Sequence, residues 1–228
     1  GVVLGGGGLF LPDTNANNIS GWQWAISDEQ IDRIKVPVIV YSVGYNFFHG
    51  QENTKRFQES ITKLIEKADF VGLRNRGSVE EIKKLLPDNL RQKIVFQPCT
   101  TTLIRKIYNF EKDNCSRKVG INMAFDREES RYGESKIAIL NQVAQAMKRI
   151  ADMNYEIHYL VHCDTDLRFL PYLERQKVKY EVDYLVDSLP DEIIKCYKQL
   201  DCVIGMRGHA QMIPFGVGCR VISLGTHN

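Results

Sequence analysis

Short apolar runs alternate with amphipathic stretches along the whole chain. The runs fall at residues 1–4, 36–42, 69–73, 94–96, 118–123, 156–161, 180–182, 201–204 and 220–224, and their Val and Ile content reads as buried strand. Between them the spacing changes from two to about 3.6. Residues 53–67 put Phe57, Ile61, Leu64 and Ile65 on one helical face, and residues 136–153 carry the stripe Ile139, Val143, Ala146 and Ile150. Residues 78–86 read as a helix opened by a capping box of Ser78 and Glu81. Further helices are expected over 101–108, 167–175 and 190–200, the last with Pro190, Asp191 and Glu192 in its first turn, where they suit the helix dipole. Strands alternating with helices in this way predict an α/β fold of parallel sheets with helices on both faces. The polar, aperiodic stretch 109–114 reads as a linker. Two Rossmann-like domains are therefore expected, residues 1–110 and 115–228, facing each other across a cleft. The chain opens inside a strand and without Met, which reads as an N-terminal domain missing its first piece.

Composition narrows the function classes. The chain has 228 residues, 43% hydrophobic and 25% charged, and a net charge of +2, so bulk electrostatics gives no case for nucleic acid or an acidic membrane. No apolar run approaches the ~18 residues of a membrane span. Cys99, Cys115, Cys163, Cys196, Cys202 and Cys219 are dispersed and form no Cys-x-x-Cys pair. That usage suits a reduced cytoplasmic protein, soluble or peripheral to a membrane, better than a disulfide framework or a zinc site.

Candidate chemistry gathers where strands turn into helices. Gly205-Met206-Arg207-Gly208-His209-Ala210 follows an apolar strand and precedes a helix. At that edge of a parallel sheet ligands bind, and the new helix turns unpaired N–H groups and partial positive charge toward them. Arg207 adds a fork for carboxylate or phosphate, and His209 a proton carrier near neutral pH. A capping histidine beside a solvated arginine is the alternative. Gly5-Gly6-Gly7-Gly8 would let backbone approach a ligand closely, though it matches neither a dinucleotide fingerprint nor a Walker loop. Arg74-Asn75-Arg76-Gly77-Ser78 joins another strand to a helix N-terminus and suits an anion, or is simply a capped helix with exposed arginines. Asn122 and Arg127 bracket a loop after a strand and could contact substrate; the alternative is that Asp126 and Arg127 are only solvated. His162-Cys163-Asp164-Thr165-Asp166 could ligate a metal or orient a sugar, but no third ligand is evident, and capping by Asp164 or Thr165 is the competing reading. The aromatic loop 44–50 either stacks on a sugar ring or packs.

Taken in order, these segments resemble the polysaccharide pyruvyl transferase family. The matching pieces are Gly5-Gly6-Gly7-Gly8-Leu9-Phe10, Val40-Tyr41-Ser42-Val43-Gly44, Arg74-Asn75-Arg76-Gly77-Ser78, Lys118-Val119-Gly120-Ile121-Asn122 and Gly205-Met206-Arg207-Gly208-His209-Ala210. The resemblance implies a two-domain, GT-B-like fold with an acceptor side and a donor side. It implies a transferase that makes pyruvate ketals on sugar hydroxyls, with phosphoenolpyruvate as donor substrate and no metal or redox cofactor. Arg207 and His209 become the catalytic pair. Gly6, Gly7, Gly8, Arg74, Arg76, Ser78, Asn122, Arg127 and Gly208 become substrate contacts. Two acids usual in the family are replaced, by Asn75 and in Gln97-Pro98-Cys99, and the chain stops at Thr226-His227-Asn228, short of closing helices. A glycosyltransferase of the same architecture, using a nucleotide sugar, and a non-catalytic homologue are the rival readings.

Overall fold

A computed structural model of the chain describes residues 1–12, 17–46, 52–112 and 116–225. Residues 47–50 of the aromatic loop, residues 113–114 of the expected linker, the expected domain start at 115, and residues 226–228 lie outside the described residues. The chain divides into two compact units at Thr100 and Thr101. Residues 101–110 thus belong with the second unit, because Ile104 joins its core.

In the first unit, β1 (Val2–Gly5), β2 (Val38–Val43), β3 (Phe70–Leu73) and β4 (Ile94–Phe96) form a parallel sheet in sequential order. Among the described residues the helices that accompany it are α1 (Asp28–Arg33), α2 (Lys55–Lys67), α3 (Arg76–Leu85) and α4 (Asp88–Arg91). The face expected of α2 is the one that packs, since Phe57, Ile61, Leu64 and Ile65 are all fully buried against Val38, Val40 and Val43. Burying such side chains stabilises by about 1.5–3 kcal/mol each. Trp22 lies in the same core, and its indole N–H donates to Ser60 Oγ at 2.9 Å. The helices α1 and α4 were not expected. For α1 the signal was there to read: Ser27 and Gln30 form a reciprocal capping box.

The second unit begins with α5 (Ile104–Ile107). It continues through β5 (Lys118–Asn122), α6 (Glu128–Tyr132), α7 (Lys136–Asp152), β6 (Glu156–Val161), α8 (Leu170–Arg175), β7 (Tyr180–Tyr184), α9 (Pro190–Lys198), β8 (Cys202–Gly205), α10 (His209–Val217) and β9 (Arg220–Ser223). Its parallel sheet has the order β7-β6-β5-β8-β9. The connections run outward from β5 to β7, then return to β8 and run the other way, so the order reverses between β5 and β8. Such a reversal opens a crevice at the carboxyl ends of the two strands, where ligands of open α/β sheets bind. The buried line of α7 is Leu140, Ala144 and Met147 rather than the expected stripe. Ile139, Val143 and Ile150 flank that line half-buried, while Ala146 faces solvent. No helix among the described residues is long and apolar enough to cross a membrane.

The helix α10 packs hard against the segment before α5. A Cβ built on Gly216 would sit 1.8 Å from the Thr101 carbonyl oxygen. Alanine favours a helix interior over glycine by ~1 kcal/mol, but here the overlap with backbone dominates. Gly216→Ala is therefore expected to destabilise the protein by roughly 1–3 kcal/mol. Chemical denaturation followed by circular dichroism would measure it, and a variant as stable as the parent would contradict this packing.

Candidate active site

The reversal point is held by one buried amide. Asn122 ends β5 opposite Gly205, which ends β8. Its backbone carbonyl accepts from Met206 N at 3.2 Å, and its side-chain Oδ1 accepts from Arg207 N at 3.2 Å. The amide Nδ2 donates to the Leu160 carbonyl of β6 at 2.9 Å and to Asp166 Oδ2 at 3.1 Å. Asn122 is wholly buried and its amide is used up by the protein. The expected substrate contact thus gives way to a structural role, in which one side chain sets the exits of three adjacent strands.

Asp166 is equally buried and is the acceptor on which this edge converges. Its Oδ2 takes His162 N at 3.1 Å and Cys163 N at 3.2 Å, and so closes the turn after β6. This is the capping role that sequence gave to Asp164 or Thr165. Asp164 instead accepts from the Tyr184 hydroxyl. The same Asp166 carboxylate receives Arg207 Nε at 3.0–3.1 Å and Nη2 at 2.7 Å, a bidentate pair. Arg207 Nη1 also lies 2.6 Å from Asp126 Oδ1. No N–H points along that contact, so Asp126 Oδ1 is a buried acceptor without a hydrogen bond and the attraction is purely coulombic. Asp126 Oδ2 is better held, by Arg131 Nη2 at 2.8 Å. Burial works against the Arg207 charge, but hydrogen bonding and attraction from Asp166, then Asp126, raise its pKa above the ordinary arginine value. Burial likewise opposes the Asp126 charge, and Arg131 and Arg207 together win and lower its pKa. The carboxylate partner of Arg207 thus lies within its own chain, a pairing across 41 residues that no local motif displays.

His209 stands differently. It is the first residue of α10 and exposed, and among the described residues no hydrogen bond or ion pair holds its ring. Gly208, just before it, is exposed too. His162 completes the group. Its Nε2 is 2.7 Å from the Tyr197 hydroxyl, with the two rings stacked. Burial, aided by repulsion from Arg207 and His209, pushes the His162 pKa down to about 4. One imidazole at this edge is thereby kept neutral while the other is open to solvent. Arg127 also lies past the end of β5, half-buried and in a left-handed conformation (φ 55°) just before α6. Among the described residues, no three His, Cys, Asp or Glu side chains gather as a metal site. A groove of about 680 Å³ opens where β5 begins, lined by Tyr108, Phe110, Lys118, Lys195 and Lys198. It lies at the opposite edge of the sheet from this cluster.

The remaining expected residues lie in the first unit. Gly6 and Gly7 take positive φ (76° and 64°) directly after β1, where only glycine is unstrained. Gly8 and Arg74 lie side by side at the carboxyl edge of that sheet. Arg76 is exposed, with its guanidinium 5.5 Å over the Phe96 ring. Ser78 is buried, and its hydroxyl accepts from Tyr45 N at 2.9 Å and donates to the Tyr45 carbonyl at 3.2 Å. It clamps α3 to the loop after β2 and is not offered to a ligand. The helix starts earlier than expected because Asn75, not Ser78, is the N-cap: Asn75 Oδ1 accepts from Ser78 N at 2.7 Å. Asparagine caps as well as aspartate. The acid replaced here is therefore one whose structural task the amide performs.

The depressed His162 pKa has a consequence for stability. In the unfolded chain a histidine takes up its proton near pH 6.5, whereas the folded protein resists doing so until about pH 4. As pH falls from about 6.5 toward 4 the unfolded state gains protons that the folded state does not, and stability is lost across that window. Thermal melts between pH 7 and 4.5 should show the loss, and His162→Gln should flatten the slope. An unchanged slope in the variant would mean that His162 is not the group responsible.

No curated protein matches the chain. Among solved structures it is similar to a chain described as "Crystal structure of GtfA/B complex bound to UDP and GlcNAc", at 13% identity and a TM-score of 0.35, over 86% of this chain. This chain spans only 39% of that one, and a likeness of this size bears on neither fold nor ligand. The family profile described as polysaccharide pyruvyl transferase matches residues 1–228. The match covers the whole chain, and the chain belongs to the polysaccharide pyruvyl transferase family.

Proposed function

We propose that the protein transfers the pyruvyl group of phosphoenolpyruvate to two hydroxyls of a sugar in a polysaccharide or its precursor, forming a ketal. The observation that carries this reading is the exposed His209 at the N-terminus of α10, two residues beyond Arg207, at the point where the order of the second sheet reverses. The donor is an anion with a carboxylate and a phosphate, suited to a helix N-terminus and an arginine. The enol carbon C3 takes a proton and becomes the methyl group. C2 is attacked by one sugar hydroxyl, phosphate leaves with the C2–O bond, and a second hydroxyl closes the ketal. The two protons released by the hydroxyls balance the one gained by C3 and the one gained by the departing phosphate. His209 is placed to carry one of these protons, an assistance worth typically ~10²–10⁴-fold. Nothing in this route calls for a metal or a redox cofactor. The dispersed free thiols Cys99, Cys163, Cys196, Cys202 and Cys219 accord with a reducing, cytoplasmic setting.

The arginine acts under a constraint. Two of its N–H groups are committed to Asp166, and Asp126 lies against a third without a directed bond. Asp126 is the weaker partner, so a donor carboxylate binding this guanidinium would compete with Asp126 rather than with Asp166.

Two results are expected. His209→Gln should leave phosphoenolpyruvate binding near the parental value and lower pyruvyl transfer by at least about 10²-fold. Transfer at the parental rate would remove the proton-carrying role. Stabilisation of the protein by a nucleotide sugar but not by phosphoenolpyruvate would favour glycosyl transfer instead, and stabilisation by neither would favour a non-catalytic homologue. Asp126→Asn removes a negative charge beside Arg207, worth roughly 1–2 kcal/mol at several ångströms, and should tighten phosphoenolpyruvate about fivefold to thirtyfold at low salt. Unchanged or weaker binding would show that the donor does not approach from the side of Asp126.

A further inference from the structure

The half-buried His162 is pinned at backbone and ring. Its backbone N–H donates to Asp166 Oδ2 at 3.1 Å. Its ring stacks on Tyr197 of α9, with 6.2 Å between centroids and 30° between planes, and Nε2 meets the Tyr197 hydroxyl at 2.7 Å. Two proton arrangements fit that distance, and burial separates them. Tyr197 is fully buried, and among the described residues its hydroxyl has no partner other than His162. If Nε2 were the donor, the phenol proton would point at nothing, an unsatisfied donor inside the protein. The phenol therefore donates and Nε2 accepts. Burial also holds the Tyr197 pKa well above the ordinary phenol value, so the phenol keeps the proton it offers. The imidazole is neutral at about pH 7, because burial has moved its pKa down to about 4. A neutral imidazole that accepts at Nε2 carries its one proton at Nδ1. Among the described residues, Nδ1 has no acceptor. Nor is it walled in, since the enclosed side-chain atoms without a partner are Ser42 Oγ, Asp126 Oδ1 and His158 Nε2. An unused donor thus stands open at the carboxyl end of β6, within the fields of Asp166, Arg207 and His209.

We infer that His162, its tautomer fixed by Tyr197, presents a neutral Nδ1–H donor to bound phosphoenolpyruvate and hydrogen-bonds the ester oxygen on C2 as phosphate departs. Only the identity of that oxygen rests on the pyruvyl-transfer reading; the tautomer and the open donor stand on the geometry of the second unit alone. The proton stays on Nδ1 throughout. Its loss would leave an imidazolate, and the path through Nε2 ends at a buried phenol. His162 is therefore not a general acid, and the proton that the phosphate gains comes from another group. What His162 supplies is a hydrogen bond that strengthens as the C2–O bond breaks and charge gathers on the leaving oxygen. Neutrality matters here. An imidazolium would add positive charge beside Arg207 and hold the anionic donor equally well before and during reaction. A neutral donor gains most when the charge develops, so its effect falls on turnover more than on binding. The two histidines thus divide the work: His209 moves a proton, and His162 keeps one in place.

Nitrogen NMR of the parental protein reads the tautomer directly. His162, assigned through its contacts with the Tyr197 ring, is expected to show a protonated Nδ1 and a bare Nε2. A proton on Nε2, or an imidazolium, at about pH 7 overturns the inference. Phosphoenolpyruvate and inorganic phosphate, each added to the parental protein, are expected to shift the Nδ1–H signal, and no shift with either overturns it too. Two variants then separate the two ends of the ring. In His162→Gln the side-chain carbonyl still accepts from Tyr197, but nothing donates from the place of Nδ1. Its kcat for pyruvyl transfer should fall about 10²-fold, with KM changed by less than about threefold. His162→Asn puts an amide N–H near the place of Nδ1 and should recover to within about tenfold of the parental kcat. Equal loss in both variants, or a loss carried by KM alone, would make His162 a structural part and end the proposal. If neither variant folds, the NMR titration of the parental protein decides. A shift with inorganic phosphate, in a protein that neither binds phosphoenolpyruvate nor transfers pyruvate, would keep the Nδ1–H donor and remove the pyruvyl-transfer reading.

Discussion

The buried ion pair between Asp166 and Arg207 is the constraint on which the second unit's functional edge depends. A carboxylate taken wholly out of water is tolerable only with a full set of donors, and Asp166 has them from two backbone N–H groups, one amide and a bidentate guanidinium. The donors come from three different pieces of chain: the turn after β6, the end of β5, and the passage from β8 to α10. Satisfying one charge therefore fixes three loops at once. His209 owes its position to this arrangement, since the residue two before it cannot move without breaking the pair.

Much of the scaffold was legible before any coordinates. Strand positions and the buried face of α2 followed from periodicity, because both depend on short-range pattern: Phe57, Ile61, Leu64 and Ile65 repeat at helical spacing, and all four are buried. The reading slipped where two faces of a helix are almost equally apolar. In α7, Ala144 and Ala146 differ in surroundings rather than in chemistry, and only the sheet decides which one is covered. The start of α3 was misplaced for a similar reason. Asn75 and Ser78 can each cap, and the choice depends on Tyr45, 33 residues away, whose backbone takes the serine hydroxyl.

At the site, the loops were legible and the partnerships were not. Arg207, His209, Asn122 and the stretch 162–166 all stood out as polar residues at strand ends. That Arg207 would be paired with Asp166 and crowded by Asp126 needed the strand order, because β5, β6 and β8 are brought side by side only by the reversal of the sheet. The correction is chemical as well as geometric. An arginine read as a free anion receptor is a fork already gripping one carboxylate and touching another, while the residue with an uncommitted ring is the histidine beside it.

Asparagine at position 75 has an effect beyond holding the start of α3. An amide has no proton to gain or lose in the physiological range, so the hydrogen bond from Ser78 N to Asn75 Oδ1 keeps its strength in acid where an aspartate cap would be neutralised. Because the cap is uncharged, it also adds no negative potential next to Arg74, the preceding residue in the chain. The cap therefore contributes no pH dependence of its own to the charge around Arg74.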